Sequence, residues 1–168
     1  MVIKDVGFAL DAGIFGANQD AAEVSAFFSN LGVLNEDNTL PALVDILVAR
    51  SGETIVVFDT GQGIANGGAL VSSLASVGIN PEDVSTVVIS HWHPDHTNGL
   101  SNEGVLTFPN TTVMFPQAEF EFMESAPEPT AGAMAKLQPA LDADMVQFYG
   151  DGDAMGDVTA IATPGHTP

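Results

Sequence analysis

One short window, His91-Trp92-His93-Pro94-Asp95-His96, packs three imidazoles and a carboxylate into six residues. In an extended segment His91 and His93 project to the same side, so both can reach one metal ion. Pro94 fixes φ and redirects the chain. Asp95 and His96 therefore leave on the following turn, where they can reach a second ion beside the first. Imidazole and carboxylate ligands suit zinc, and also iron, manganese or cobalt. A lone histidine is more simply a surface residue. Here three of the chain's four histidines share one window at the end of an apolar strand, which points to a metal.

The fourth histidine, His166, sits in Thr163-Pro164-Gly165-His166-Thr167-Pro168. Such a rigid turn can hold an imidazole toward a site. Alone it would be an exposed turn residue; with the first window it becomes a third ligand for the first ion. Asp59 closes an apolar strand in Asp59-Thr60-Gly61. It has two readings, a β-turn residue or a supporting carboxylate that orients a ligand from behind. Trp92 either walls a substrate pocket or packs the metal loop. Asp151-Gly152-Asp153-Ala154-Met155-Gly156-Asp157 fails the calcium-loop pattern, because Ala162 stands where the closing glutamate belongs. A solvated turn between strands fits it better.

Several elements must carry these residues. A helix is expected over Asp20–Leu31: Asp20 and Glu23 have capping spacing, and Val24, Phe27, Phe28 and Leu31 recur at helical period before Gly32. The apolar runs Leu43–Ala49 and Thr54–Phe58, separated by Arg50-Ser51-Gly52-Glu53, read as a hairpin. A helix fits Ala69–Val77, ended by Gly78. Asn80-Pro81 opens a turn, and the β-branched run Thr86–Ser90 is a buried strand leading into His91. Strand Thr112–Phe115 and helix Gln117–Glu124 follow. A helix over Thr130–Asp142 has Met134, Leu137 and Leu141 on its apolar side. Strands near Met145–Phe148 and Val158–Ala162 complete the reading. Strands mixed with helices indicate a layered α/β or α+β fold.

Composition narrows the partners. The 168 residues carry 22 acidic and three basic side chains, Lys4, Arg50 and Lys136, for a net charge of −19. That charge repels phosphate, so neither nucleic acid nor an anionic membrane is an expected partner. Charged residues are only 15% while hydrophobic residues reach 45%, which excludes a disordered acidic tail and suggests surface that expects to be covered. No apolar run approaches the ~20 residues of a membrane span. Without cysteine there are no disulfides and no thiolate ligands. The start, Met1-Val2-Ile3-Lys4, lacks a signal peptide's apolar core. A cytoplasmic location is the default, and a periplasmic or secreted one would need a signal upstream of Met1.

Phe58-Asp59-Thr60-Gly61, His91 through Leu100 and Thr163 through Pro168 together resemble the metallo-β-lactamase superfamily in motif, order and spacing. Gly132-Ala133-Met134-Ala135-Lys136-Leu137 and Phe108-Pro109-Asn110 resemble the branch of methyl parathion hydrolase-like enzymes and N-acyl homoserine lactonases. The resemblance implies a four-layer αββα sandwich and two divalent metal ions, zinc foremost. His91, His93 and His166 would bind the first ion, Asp95 and His96 the second, and Asp59 would support them. It implies hydrolysis of an ester, lactone or phosphotriester by metal-activated water, with Asp95 passing a proton to the leaving group. The expected partner is a small-molecule substrate, and homodimerisation is left open. Family members supply a bridging aspartate and a final histidine beyond the Thr-Pro-Gly-His turn, so residues 1–168 are expected to hold the N-terminal portion of that fold. The competing expectations are a thiolesterase of the glyoxalase II type and a non-catalytic metal-binding or inactive fragment.

Overall fold

In the computed structural model, which describes residues 1–16, 18–155 and 157–168, ten strands and five α-helices are assigned. Gly156, in the turn between Asp151 and Asp157, lies outside the described residues. The chain divides into two compact units, Val6–Val44 and Met1–Asp5 with Asp45–Pro168.

The smaller unit contains α1 (Ala21–Asn30), and its start obeys the expected capping. The Asp20 carboxylate accepts the backbone N–H groups of Ala22 and Glu23 at 2.9 and 3.2 Å, which satisfies two donors that the first helical turn leaves orphaned. Gly32 takes the left-handed φ of +71° that ends the helix. Phe28 packs edge-on against Phe15 and Phe27, with ring centroids 5.7 and 5.3 Å apart.

The larger unit holds Val2–Asp5 of β1, Asp45–Ser51 of β2 and the whole of the other four strands of a six-stranded sheet of order β1-β2-β3-β4-β7-β8. Here β1 is Val2–Asp11, β2 Thr39–Ser51, β3 Thr54–Phe58, β4 Thr86–Val88, β7 Thr112–Pro116 and β8 Val146–Tyr149. The hairpin pairs Ser51 with Thr54 and Arg50 with Ile55, its turn made by Gly52 at φ +62°. From β3 to β8 the strands run parallel, joined by α2 (Leu70–Ser76), α4 (Gln117–Ser125) and α5 (Pro127–Asp142). Two short antiparallel ribbons complete the unit: β5 (Ser101–Asn102) with β6 (Val105–Leu106), and β9 (Ala154–Met155) with β10 (Val158–Thr159).

Side-chain alternation divides the sheet into two faces. Ile46, Val48, Ile55, Val57, Val87, Val113 and Phe115 point to the face that holds the core and are buried, as are Leu74, Met123, Leu137 and Ala140 of the helices. On the opposite face Ala49, Val56, Phe58, Thr86, Thr112 and Met114 are only half-buried, and Leu47 is 47% exposed. Met155 and Val158 of the β9–β10 ribbon share a cavity wall with Val56, Val88 and Met114 on that face. The apolar surplus noted in the composition therefore sits partly on an open sheet face.

Several elements differ from the sequence reading. The ten-residue strand β1 precedes the first element read from the sequence, the helix at Asp20. Its Asp5 occupies an inward position and is buried, which breaks the apolar alternation that would reveal a strand. In α5 the buried stripe runs through Thr130, Ala133, Leu137 and Ala140, leaving Met134 and Leu141 half-buried at its edge; the helix also begins three residues before Thr130, with Pro127 in its first turn. The expected strand Val158–Ala162 stops at Thr159, because its partner among the described residues is the two-residue β9.

Candidate metal centre

The strand ends deliver the site. Parallel strands β3 and β4 finish side by side, with Phe58 opposite Val88, and the chemistry lies just beyond their carboxyl ends, where open α/β sheets bind ligands. The Asp59 N–H donates to the Val88 carbonyl at 2.7 Å, and the Ile89 N–H to the Met114 carbonyl at 2.9 Å. These bonds fix both chains as they leave the sheet. Asp59 then turns sharply, at φ +65°. That left-handed conformation is costly for most residues and tolerated best by Gly, Asn and Asp.

After the bend at Trp92 and His93, the short helix α3 (Pro94–Thr97) turns the chain. Thr97 is fully buried, and its hydroxyl donates to the carbonyls of Trp92 and His93. The loop of Asp59 is pinned to this helix, since the Thr60 N–H and hydroxyl both donate to the His96 carbonyl at 2.9 and 2.7 Å. Gly99 lets the two backbones touch: a Cβ there would lie 2.0 Å from the Thr60 carbonyl oxygen.

Three histidines meet. The Nε2 of His91 is 3.1 Å from Nδ1 of His93, which is 3.0 Å from Nε2 of His166. All three nitrogens lie within 4.8 Å of one another. Nitrogens bound at ~2.05 Å to one tetrahedral zinc would be separated by about 3.3 Å, so the donor set fits such an ion with little adjustment. Burial, reinforced by the neighbouring imidazoles of His96, His93 and His166, pushes His91 down to about 4. Burial and His166 likewise lower His93. Both therefore present neutral rings with free lone pairs at neutral pH, the form a metal requires.

Asp95 and His96 form a second group beside the first. The Nε2 of His96 is 3.5 Å from Oδ2 of Asp95, and the His91 and His96 ring centroids are 3.9 Å apart. On its other side His96 donates from Nδ1 to Oδ2 of Asp59 at 2.8 Å. Burial lowers His96, but the hydrogen bond and charge of Asp59, with the charge of Asp95, outweigh it and raise the imidazole above its ordinary value. In the neutral ring Nδ1 keeps its proton on Asp59, so the free lone pair is on Nε2, beside Asp95. Asp59 thus places its carboxylate against both Ser90 and His96.

Four residues here escaped the sequence reading. Ser90 joins Asp59 to both histidine groups: its N–H donates to Asp59 Oδ1 at 2.7 Å, and its hydroxyl lies 2.9 Å from both Asp59 Oδ2 and His91 Nδ1. Asp5 accepts the N–H groups of Gln62 and Leu70, both at 2.8 Å, and so holds the loop after Asp59. Glu119 accepts the Trp92 N–H at 3.0 Å and the Thr167 hydroxyl. Tyr149 donates its hydroxyl to the Ile89 carbonyl at 2.7 Å. Their sequence contexts carry no motif, and only Asp5, a charge inside an apolar run, gave a signal. Trp92 itself takes its packing role, stacked on Phe122 at 6.2 Å between centroids. A cavity of about 570 Å3 opens beside the site, with Asp59, His91, Glu119, Tyr149 and His166 in its wall.

The sequence matches the metallo-beta-lactamase superfamily over residues 41–168, which include every residue of this site except Asp5. The chain belongs to the metallo-beta-lactamase superfamily. Within that superfamily it is 32% identical over 110 residues to N-acyl homoserine lactonase AttM of Agrobacterium fabrum, a match covering 58% of this chain and 38% of AttM. Among solved structures the fold resembles hydrolase AbOPH, at a TM-score of 0.87 and 23% identity, over 99% of this chain and 62% of that one. It also resembles AidC, a dizinc quorum-quenching lactonase, at a TM-score of 0.77 and 21% identity, over 92% of this chain and 58% of AidC. These two likenesses confirm the mixed α/β metallo-β-lactamase fold. The chain thus spans well under half the length of AttM and about three fifths of the structures it matches.

Proposed function

We propose that the protein is a metal-dependent hydrolase acting on an ester, lactone or phosphotriester, with two divalent ions, zinc foremost, as its cofactors. The observation that carries this reading is the convergence of three histidine nitrogens on one point, beside an Asp95–His96 pair whose far nitrogen is already committed to Asp59. His91 Nε2, His93 Nδ1 and His166 Nε2 would hold the first ion, and Asp95 Oδ2 with His96 Nε2 the second. Ions so placed would supply a nucleophile at neutral pH and an electrophile for the developing oxyanion. The chain's own residues prepare the rest. Asp59 sets the tautomer of His96 directly. Ser90 accepts from His91 Nδ1 and passes its own proton toward Asp59, so the same carboxylate sets the tautomer of His91. Asp95, 38% exposed at its side chain, is placed to hand a proton to a leaving group. A small-molecule substrate would enter through the cavity beside His91 and His166. The relationship to AttM supports a lactone among the substrates.

The experiment is a metal analysis combined with turnover of an acyl homoserine lactone, an aryl phosphotriester and an acyl thioester. Two metal equivalents with lactone or phosphotriester hydrolysis, both lost in His93→Ala, are expected. Preferred turnover of the thioester would favour a thiolesterase of the glyoxalase II type. An empty or single-ion site without turnover would mean a non-catalytic metal-binding protein.

A further inference from the structure

We infer that Glu119 is a positioning residue that clamps the two metal-binding loops together through both oxygens of one carboxylate. This rests on the metal reading proposed above. Two ligand-bearing segments far apart in sequence must meet within the tolerance of a metal bond. His91 and His93 lie on the loop after β4, whereas His166 lies in an exposed turn near residue 168. The turn has few anchors of its own: residues 160–168 contain no regular strand or helix, and His166 is exposed. A ligand on such a segment costs conformational entropy each time a metal binds, unless something holds it beforehand.

Glu119 meets that need. It stands in the first turn of α4, whose position is fixed by the buried Met123 and by Phe115 on the strand leading into it. Its Oε2 accepts the backbone N–H of Trp92, the residue between the two ligands His91 and His93. Its Oε1 accepts the hydroxyl of Thr167, the residue after His166. One rigid helix therefore sets the spacing of both ligand segments, and hydrogen bonds to a charged acceptor are roughly twice as strong as neutral ones. The carboxylate reaches no ligand nitrogen in these contacts. Its action is to keep Nδ1 of His93 and Nε2 of His166 at the 3.0 Å separation observed.

The test measures zinc affinity by chelator competition, and the visible absorption of the cobalt-substituted protein, with the thermal midpoint of the metal-free form as a control. Glu119→Ala and Thr167→Val should each weaken zinc binding by roughly 10- to 100-fold, as removal of partners behind a metal ligand generally does, and should perturb the cobalt spectrum. Glu119→Gln can still accept from Trp92 through its oxygen and donate to Thr167 through its amide, so it should restore most of the affinity, as should Thr167→Ser. The double variant Glu119→Ala/Thr167→Val should be no weaker than Glu119→Ala alone, because the hydroxyl acts through the carboxylate. Glu124→Gln, exposed on the same helix, should change nothing. If the unaltered protein binds zinc but Glu119→Ala and Thr167→Val match its affinity and spectrum, the clamp is overturned and the metal reading stands. If the unaltered protein takes up no zinc, both fall. Should Glu119→Ala fail to fold, the Thr167→Val and Thr167→Ser pair decides, since it alters one hydroxyl or one methyl group.

Discussion

Oδ2 of Asp59 and Nδ1 of His96 lie 2.8 Å apart across 37 residues of chain, joining the end of one parallel strand to the helix that follows its neighbour. In the proposed centre this contact would decide which His96 nitrogen accepts a metal. Asp59→Asn isolates that effect, because Asn tolerates the left-handed φ of +65° as Asp does. An amide nitrogen facing Nδ1 would set donor against donor and favour the tautomer with its proton on Nε2. The expected outcome is loss of the second metal equivalent with the first retained, read as metal per protein by elemental analysis. Asp59→Ala should lose the same ion and also some stability, since a non-glycine, non-Asn residue in that conformation costs about 1–2 kcal/mol. Two equivalents retained in both variants would contradict this role.

The contact of Gly99 with Thr60 gives a second expectation. A methyl group 2.0 Å from a backbone oxygen cannot be accommodated without moving one of the two loops. Gly99→Ala should destabilise the fold by about 1–3 kcal/mol, the usual cost of overpacking, or more if the backbone resists. Urea unfolding would read the loss. Because Thr60 also holds the His96 carbonyl, metal affinity should fall along with stability.

How much of this could be read from the sequence follows from how far apart the cooperating residues lie. His91, His93, Asp95 and His96 were legible because their spacing along one short segment already dictates their geometry. His166, 73 residues from His93, was legible only through its turn and through the first motif. Glu119 was not legible, since its partners are 27 and 48 residues away and a glutamate in a first helical turn needs no special explanation. In the fold, the β3 hairpin and α1 announced themselves by turn and cap chemistry. The strand β1 was hidden because its inward position at Asp5 is spent on hydrogen bonding rather than apolar packing.

Asp5 accordingly makes a prediction of its own. Its side chain is buried, at 3% exposure, and accepts two backbone N–H groups, those of Gln62 and Leu70. Asp5→Ala would strand both donors away from water. At ~1–3 kcal/mol for each unsatisfied buried group, a loss of about 2–6 kcal/mol is expected in chemical denaturation. Asp5→Asn keeps one acceptor and should fall between the two. A loss within ~0.5 kcal/mol for Asp5→Ala, the range of ordinary surface changes, would show that the loop after Asp59 holds itself.

Tyr149 offers a spectroscopic check on the electrostatics beside the site, because it is the only tyrosine in the chain. Burial first, and then the negative charges of Asp59 and Glu119, push its phenol up to about 12 in the folded protein, against about 10 in an unfolded chain. The neutral phenol also keeps its hydrogen bond to the Ile89 carbonyl. A group whose pKa rises on folding favours the folded state while it stays protonated. Its contribution is complete below pH ~10 and declines as the pH climbs from there toward 12, where the unfolded state alone has released its proton. In the metal-free protein the phenolate absorbance should therefore appear well above pH 10. Stability measured by denaturation should begin to fall across the same interval, and Tyr149→Phe should abolish both the absorbance and that part of the decline. Glu119→Gln should move the phenolate transition to lower pH by removing one of the charges responsible. A midpoint near 10 in the unaltered folded protein would show that Tyr149 is solvated rather than held against Ile89.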